Sequence, residues 1–270
     1  KIRGIESDGM ICAEDEIGIG NAHDGIIILP KNSVTGKSAI DYLNIISDTV
    51  YDISLTPNRA DATSHLGVAR DIKAVFNREI NIPEIKSFSN KETKSIDIEI
   101  KEKTACPRYV GCIIDNVDVG ESSNEIKILL TSIGINPINN VVDITNYILH
   151  GLGQPLHAFD LDKISKNKIV VKYAKENEKF LSLDDIERKL KSDDLVICDG
   201  DEKPMCIAGV FGGKTSGVSS TTKSIFLESA YFNPSDVRKS SQNHMLKTDA
   251  SYRFERGVDP NITVYALKLA

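Results

Sequence analysis

The chain predicts an α+β fold built on an antiparallel or mixed sheet, and three observations lead there. Its strand-like and helix-like runs come in the order β, α, α, β-rich, α, not in the regular alternation of a doubly wound fold. Its glycine run, AGVFGG (Ala208–Gly213), is not G-x-G-x-x-G and opens no helix, so it is no dinucleotide loop. No segment repeats with a period of 20–50 residues, which sets solenoids and propellers aside. At 270 residues there is room for two or three modules.

Taken in order, residues 1–34 alternate short apolar stretches with turns and read as the end of a small β domain. Residues 38–46 have helical spacing. VYDISL (50–55) is a short strand closed by Pro57, after which Asp61 or Thr63 can cap a helix. Leu66, Ala69, Ile72 and Phe76 share one face of that helix. The stretch around Pro83 is polar and reads as a linker. From about residue 95 a larger domain begins. SIDIEI alternates as a half-buried strand should, and RYVGCIIDNVDV follows as a second strand. SSNEIKILLTSIGI is an amphipathic helix with Ser122 or Ser123 as cap, a stripe of Ile126, Leu129, Leu130 and Ile133, and Gly134 for a left-handed C-terminal cap. NNVVDITNYILHG is a second helix ended by Gly151. KIVVKYA, DLVICD, PMCIAGVFGG and SIFLESAYF are strands, and NPSDVRKSSQNHML is a helix with Asn233 as its cap.

Composition narrows the class. Hydrophobic residues make up 40% and charged residues 27%, ordinary for a globular protein. No apolar run is long enough to span a bilayer, so no membrane segment is expected. No charged-then-apolar leader is visible. The chain opens on Lys1 without Met and reads as a piece of something larger. Its five cysteines (Cys12, Cys106, Cys112, Cys198, Cys206) form no C-x-x-C, which points to buried small hydrophobes in a reducing cytoplasm. The five histidines include no H-E-x-x-H, which argues against a metal. A net charge of −6 argues against a surface that grips nucleic acid everywhere, so RNA would bind through a local patch or through parts outside the chain.

Four stretches carry more polar residues than their apolar flanks require: Asp143–Asn146, Gly151–Asp160, Ala208–Gly213, and the pair Phe226–Ala230 and Lys247–Gly257. Alone, His157 reads as a satisfied or surface histidine. A metal role lacks a second ligand at suitable spacing, and a general-base role lacks a Ser or Cys nucleophile motif. Glu228 lies in an apolar strand-like run. It must face either solvent or a pocket, because a buried unpaired charge is costly. The glycine run is either a tight bend between strands or a close approach to a ligand. Arg253 and Arg256 could meet phosphate, though pairing with Asp249 and Glu255 is the simpler reading.

Together, SLTPNRADATSHLGVARDI, INPINNVVDITNYILHGLGQPLHAFDLDKI, IAGVFGG, IFLESAYFNP and KTDASYRFERGVDP resemble the beta subunits of bacterial phenylalanyl-tRNA synthetases, in order and spacing, over essentially the whole chain. The resemblance implies three parts: 1–34, the end of an oligonucleotide-binding-fold tRNA-binding domain; 35–90, a small winged-helix-like module and linker; and 95–265, a tRNA-editing domain with a β-sandwich core and flanking helices. It further implies hydrolysis of tyrosine mischarged onto tRNA(Phe), in support of ATP-dependent charging of tRNA(Phe) with phenylalanine by the complete enzyme. The synthetic site lies on the alpha subunit. The implied partners are tRNA(Phe) and that alpha subunit, in an assembly of two alpha and two beta chains. This chain itself is expected to need no cofactor or metal; ATP and magnesium belong to the complete enzyme.

An apolar pocket shaped for Phe rejects an isostere that adds a hydroxyl by only about 10². A second site built to hydrogen-bond that hydroxyl rejects the residue lacking it by roughly 10⁴ or more. By resemblance, Glu228 accepts the tyrosine phenol, Ala250 leaves room for the ring and Thr248 forms another wall. Thr145 and Asn146 lie near the amino acid and terminal ribose. Gly209 and Gly212 bring backbone close to substrate, and His157 lines the pocket and orients substrate or water. The sequence departs from the family at Asn136, often basic there, and at Leu183-Asp184-Asp185, usually Leu-Asp-Gly. It also departs at Cys206 and Phe211, more often Ala and Met, and before Thr248, where a glycine is usual. A non-catalytic module that positions tRNA and holds the subunits together is the alternative.

Overall fold

A computed structural model describes residues 3–20, 22–43, 48–85, 88 and 94–270. The chain falls into two compact units, Lys1–Thr49 and Val50–Ala270.

In the first unit the described residues form a 3-10 turn, Asp15–Ile17, and one short helix, α1 (Ala39–Leu43). This helix lies within the expected 38–46 stretch, whose residues 44–46 lie outside the described ones. The apolar stretches of 1–34 form no strand among the described residues, and Ile5, Ile11 and Ile28 stand exposed. Short apolar runs become strands only where another strand takes up their backbone groups.

The second unit opens with corrections of the same kind. VYDISL is not a strand; Val50, Tyr51 and Ile53 are exposed and unpaired in any sheet. Helix α2 (His65–Phe76) is capped by Ser64, whose hydroxyl accepts from Gly67 N–H at 3.0 Å. Neither Asp61 nor Thr63 caps it, because residues 60–62 are already wound into a separate 3-10 turn. Only the first half of the expected apolar face packs: Ile72 and Phe76 are 44% and 69% exposed.

Most of the remaining elements match their local signals. Strands β1 (Asp97–Ile100) and β2 (Arg108–Asp115) precede helices α3 (Asn124–Ser132) and α4 (Asn140–Leu152). Ser123 caps α3, and Gly134 adopts φ +81° just beyond it. Of the α3 stripe, Leu130 is buried while Leu129 is exposed. Helix α4 runs past Gly151 to Leu152, and Gly153, at φ +79°, ends it by donating to Leu149 O. The chain continues through β3 (Leu156–Asp160), β4 (Lys168–Tyr173), β5 (Lys179–Leu181), β6 (Glu187–Lys189), β7 (Leu195–Cys198), β8 (Pro204–Ile207), β9 (Phe211–Gly212) and β10 (Ser224–Tyr231). It closes with helices α5 (Pro234–His244), α6 (Asp249–Phe254) and α7 (Thr263–Leu269). Asn233 caps α5, accepting from Ser235 N–H at 2.9 Å.

The strands form a five-stranded sheet in the order β1-β4-β7-β8-β9, parallel only between β1 and β4. A second, antiparallel sheet has the order β2-β10-β3, and β5-β6 form a separate hairpin. This is the mixed-sheet α+β class that the element order predicts. The two larger sheets share one core. Ile169 and Val171 of β4, Ile197 of β7 and Ile207 of β8 pack in the same cluster as Phe159 of β3 and Phe226 and Ala230 of β10. The other face of the three-stranded sheet, with Leu156, Leu227 and Val110, packs on Ile148 of α4 and on Ala266 and Leu267 of α7. Side chains alternate across a strand, so β10 sends Phe226, Glu228 and Ala230 into the inter-sheet layer and Leu227 toward the helices. That alternation determines where Glu228 points.

Candidate functional site

Glu228 is the middle residue of that inward-facing trio and is only 4% exposed. On one side it pairs in register with His157 of β3, on the other with Gly111 of β2. Directly opposed side chains on one sheet face stand close together, so the two polar residues share one corner of the layer. His157 in turn lies edge-on against Phe159, with ring centres 4.5 Å apart. No hydrogen bond or ion pair joins His157 to Glu228 among the described residues, and His157 Nε2 and Glu228 Oε2 are both buried without a hydrogen-bond partner.

These two side chains face a cavity of about 370 Å³, counting its open mouth. Its other walls are nearly all apolar: Val210, Phe211, Phe232, Ala250 and Phe254, with Cys206 beside them. Burial governs the electrostatics. It pushes the Glu228 carboxyl up from 4.5 to about 8 and holds the His157 imidazole down from 6.5 to about 4. At pH 7 both are mostly uncharged. The group expected to be a carboxylate acceptor is therefore mostly a carboxylic acid, with one oxygen that accepts and an O–H that donates.

The glycine run and α6 shape the slot. At Gly212 a Cβ would stand 2.7 Å from His157 Cε1 and 2.9 Å from Leu183 Cδ1, so the missing side chain is what lets the imidazole lie against this strand. Gly209 has φ +70°, a conformation that favours glycine, and a Cβ there would press on Phe254 at 2.9 Å. Thr248 caps α6 in a reciprocal capping box with Ser251. Its hydroxyl also donates to Val210 O at 2.9 Å, which ties the helix that carries Ala250 to the glycine run. Thr248 thus holds a wall of the cavity without lining it.

Thr145 and Asn146 are not among the lining residues. They sit on α4, which packs on the opposite face of the three-stranded sheet, and Thr145 Oγ1 donates back along the helix to Val142 O at 2.7 Å. Asp143, in the same polar stretch, is wholly buried; it accepts from Ser122 Oγ and from Ile138 N–H and so fastens the α3–α4 connection. Arg253 and Arg256 form ion pairs with Asp249 and Glu255, as the simpler reading expected. No group of three or more His, Cys, Asp or Glu side chains is placed to hold a metal ion among the described residues.

The turn before β6 carries Asp185 where the resembled family usually has glycine. Asp185 adopts φ +64° there and pairs with Lys214. Left-handed backbone costs an Asp roughly 1 kcal/mol relative to glycine. Asp185→Gly is therefore expected to raise stability slightly, by up to about 1 kcal/mol once the exposed ion pair is subtracted; urea melts of the two proteins test it.

Phe232, Phe254 and Pro155 also line the cavity, though sequence reading gave none of them a role, since such apolar residues are ordinary core residues. Gln154, which is fully buried, is more legible afterwards than before. Its Nε2 donates to Ala230 O at 2.9 Å and fixes the start of β3 to the end of β10.

The residues that form this slot all lie within the stretch matched by the model of the B3/4 domain family. The chain belongs to that family, whose model matches residues 105–270. Over its whole length the chain is 53% identical to a phenylalanine–tRNA ligase beta subunit of Bacteroides fragilis, across 277 residues that make up 34% of that protein. It is 49% identical to the corresponding subunit of Porphyromonas gingivalis, again over all of this chain and 34% of that protein. For Desulfotalea psychrophila the identity is 46%, over all of this chain and 33% of the relative. The chain thus spans about a third of the length of the curated relatives it matches. An N-terminal fragment of the phenylalanyl-tRNA synthetase beta subunit from Pyrococcus horikoshii aligns loosely, with a TM-score of 0.40 and 20% identity over 66% of this chain and 54% of that one. The resemblance read from the motifs accordingly extends along the whole chain.

Proposed function

We propose that this chain is the part of a phenylalanine–tRNA ligase beta subunit that hydrolyses tyrosine mischarged onto tRNA(Phe). One observation carries the reading: Glu228 is a single buried carboxyl in the wall of a largely apolar slot, beside His157 and in the same cavity as Ala250. An aromatic ring that fills such a slot gains from burial whether or not it bears a hydroxyl. Only a ring with a hydroxyl satisfies the carboxyl, which otherwise stays unpaired. That difference is what a second sieve needs.

Hydrolysis then requires little from the protein. A water adds to the aminoacyl carbonyl carbon, the bond to the ribose oxygen breaks, and that oxygen leaves with a proton. The ester is already activated, so holding the side chain in the slot and a water at the carbonyl supplies most of the gain. His157, uncharged, orients the water or the ester. The backbone at Gly209 and Gly212 approaches the substrate closely. Thr248 acts through the position of α6, and Thr145 and Asn146 act, if at all, from outside the slot. The full assembly would charge tRNA(Phe) in the cytoplasm with an alpha subunit, two of each chain, and would use ATP and magnesium there; the hydrolysis itself calls on neither.

The test is deacylation of Tyr-tRNA(Phe) against Phe-tRNA(Phe) by this chain and by Glu228→Ala. The expected result is hydrolysis of the tyrosyl ester by the unmutated chain and a loss of roughly 10²-fold or more in the variant, with tRNA binding retained. Binding without hydrolysis in the unmutated chain would overturn the reading in favour of a positioning and assembly module.

A further inference from the structure

The Glu228 carboxyl has an inner and an outer oxygen. Oε2 is sealed from solvent and accepts nothing, whereas Oε1 is not sealed off in this way. A ligand in the slot can satisfy only the outer oxygen, and leaving the inner one unpaired costs about as much as the ligand contact gains. The inner oxygen needs a donor from the protein.

Tyr109 is placed to be that donor. On β2 it stands opposite Ala230, two residues along from the pair Gly111–Glu228. It therefore shares the inward sheet face with Glu228, on the diagonal that a long aromatic side chain can bridge. Gly111 puts no side chain between them. The Tyr109 hydroxyl is itself buried without a partner, an uncommon state for a phenol inside a protein. A donor and an acceptor, each orphaned, thus occupy the same layer. The Glu228 charge also opposes ionisation of Tyr109, which puts the phenol within electrostatic reach of the carboxyl.

Other groups face this corner. Cys106 and Cys206 are buried near Glu228 but donate only weakly. The His157 ring is committed against the glycine strand, where its Nε2 would stand 3.2 Å from a Cβ at Gly212. Tyr109 is the stronger, unengaged O–H donor.

We propose that Tyr109 is a positioning residue for Glu228. Its hydroxyl donates to Oε2 when the carboxyl ionises, leaving Oε1 to accept from the slot. The selectivity part of this inference rests on the editing reading above; the pairing itself does not. In the slot, the fixed carboxyl accepts from a phenol at one defined position, which makes the site selective for a para-hydroxylated ring over a bare one.

The experiment pairs two measurements on this chain and on Tyr109→Phe, which removes one oxygen and keeps the ring. The first is the Glu228 titration, followed by carbon NMR with Glu228→Gln to assign the signal. Loss of a donor to the charged form raises the midpoint, by about one pH unit. The second is the ratio of Tyr-tRNA(Phe) to Phe-tRNA(Phe) hydrolysis, expected to fall about tenfold, as one hydrogen bond of this kind implies. A raised midpoint with a reduced ratio supports the proposal. A raised midpoint in a chain that hydrolyses neither ester keeps the pairing and sinks only the editing reading. An unchanged midpoint overturns the pairing whatever the hydrolysis shows.

Discussion

Glu228→Gln is expected to make the protein more stable, and increasingly so as the pH rises. Burial raises the folded carboxyl from 4.5 to about 8, so between those values the folded chain keeps a proton that the unfolded chain has lost. Stability then falls with rising pH, by at most about 1.4 kcal/mol per pH unit. His157 works in the opposite sense. Burial lowers it from 6.5 to about 4, so in that window the unfolded chain binds a proton that the folded chain refuses, and stability rises with pH. Between 4.5 and 6.5 the two slopes cancel, and the unmutated site contributes a plateau. Glu228→Gln keeps the neutral shape and removes only the titration. It should match the unmutated protein below pH 4 and exceed it by about 3 kcal/mol at pH 7. It should also expose the rising His157 slope between 4.5 and 6.5. His157→Gln should expose the falling slope in the same window. Urea melts at half-unit pH steps measure both. Parallel profiles for the unmutated protein and Glu228→Gln would show that Glu228 titrates as an exposed carboxyl and is not sealed in the slot.

The cost of this arrangement also explains why Glu228 was legible as a candidate. A carboxyl inside Phe-Leu-Glu-Ser-Ala has no local reason to be there, and the strand's period of two leaves it only two places to point. The caps at Ser123 and Asn233 were legible for the same reason: a cap is chemistry between residues two or three apart. Tertiary context was not legible. β3 carries five residues after a Gln-Pro pair with no strong strand pattern of its own, and its ladder comes from β10, some seventy residues away. VYDISL has the better local pattern but finds no strand to pair with among the described residues. Ile72 and Phe76 lie on the face that helical spacing predicts, yet among the described residues no element covers that end of α2. Tyr109 gives no signal at all, because a tyrosine in an alternating strand is an ordinary β-former and only the missing hydrogen-bond partner marks it. Thr145 and Asn146 share a helix with true core residues, and only the packing shows that they face away from the slot.

Gly111→Ala should be among the most damaging single-methyl changes in the domain. A Cβ at Gly111 would stand 2.1 Å from Phe226 Cζ and 2.4 Å from Cε2. The far end of the ring stands over the glycine, fully buried, in the layer between the sheets. It cannot move aside freely, because such interiors are packed at crystal-like density. Phe159 stands next in line, 6.5 Å from the Phe226 ring centre, and His157 lies edge-on behind Phe159. The added methyl therefore costs about 3 kcal/mol through overpacking, and part of the strain passes through two rings to the slot. Phe226→Leu in the same chain removes the collision while opening space of its own. The double variant should then be less destabilised than the sum of the two singles by at least 1 kcal/mol, the mark of residues in contact. Calorimetric or urea melts of the four proteins close the cycle. Simple additivity would mean that Phe226 does not rest on Gly111. The glycine opposite Glu228 would then serve some purpose other than making room for the ring, and the wall behind the carboxyl would have to be built another way.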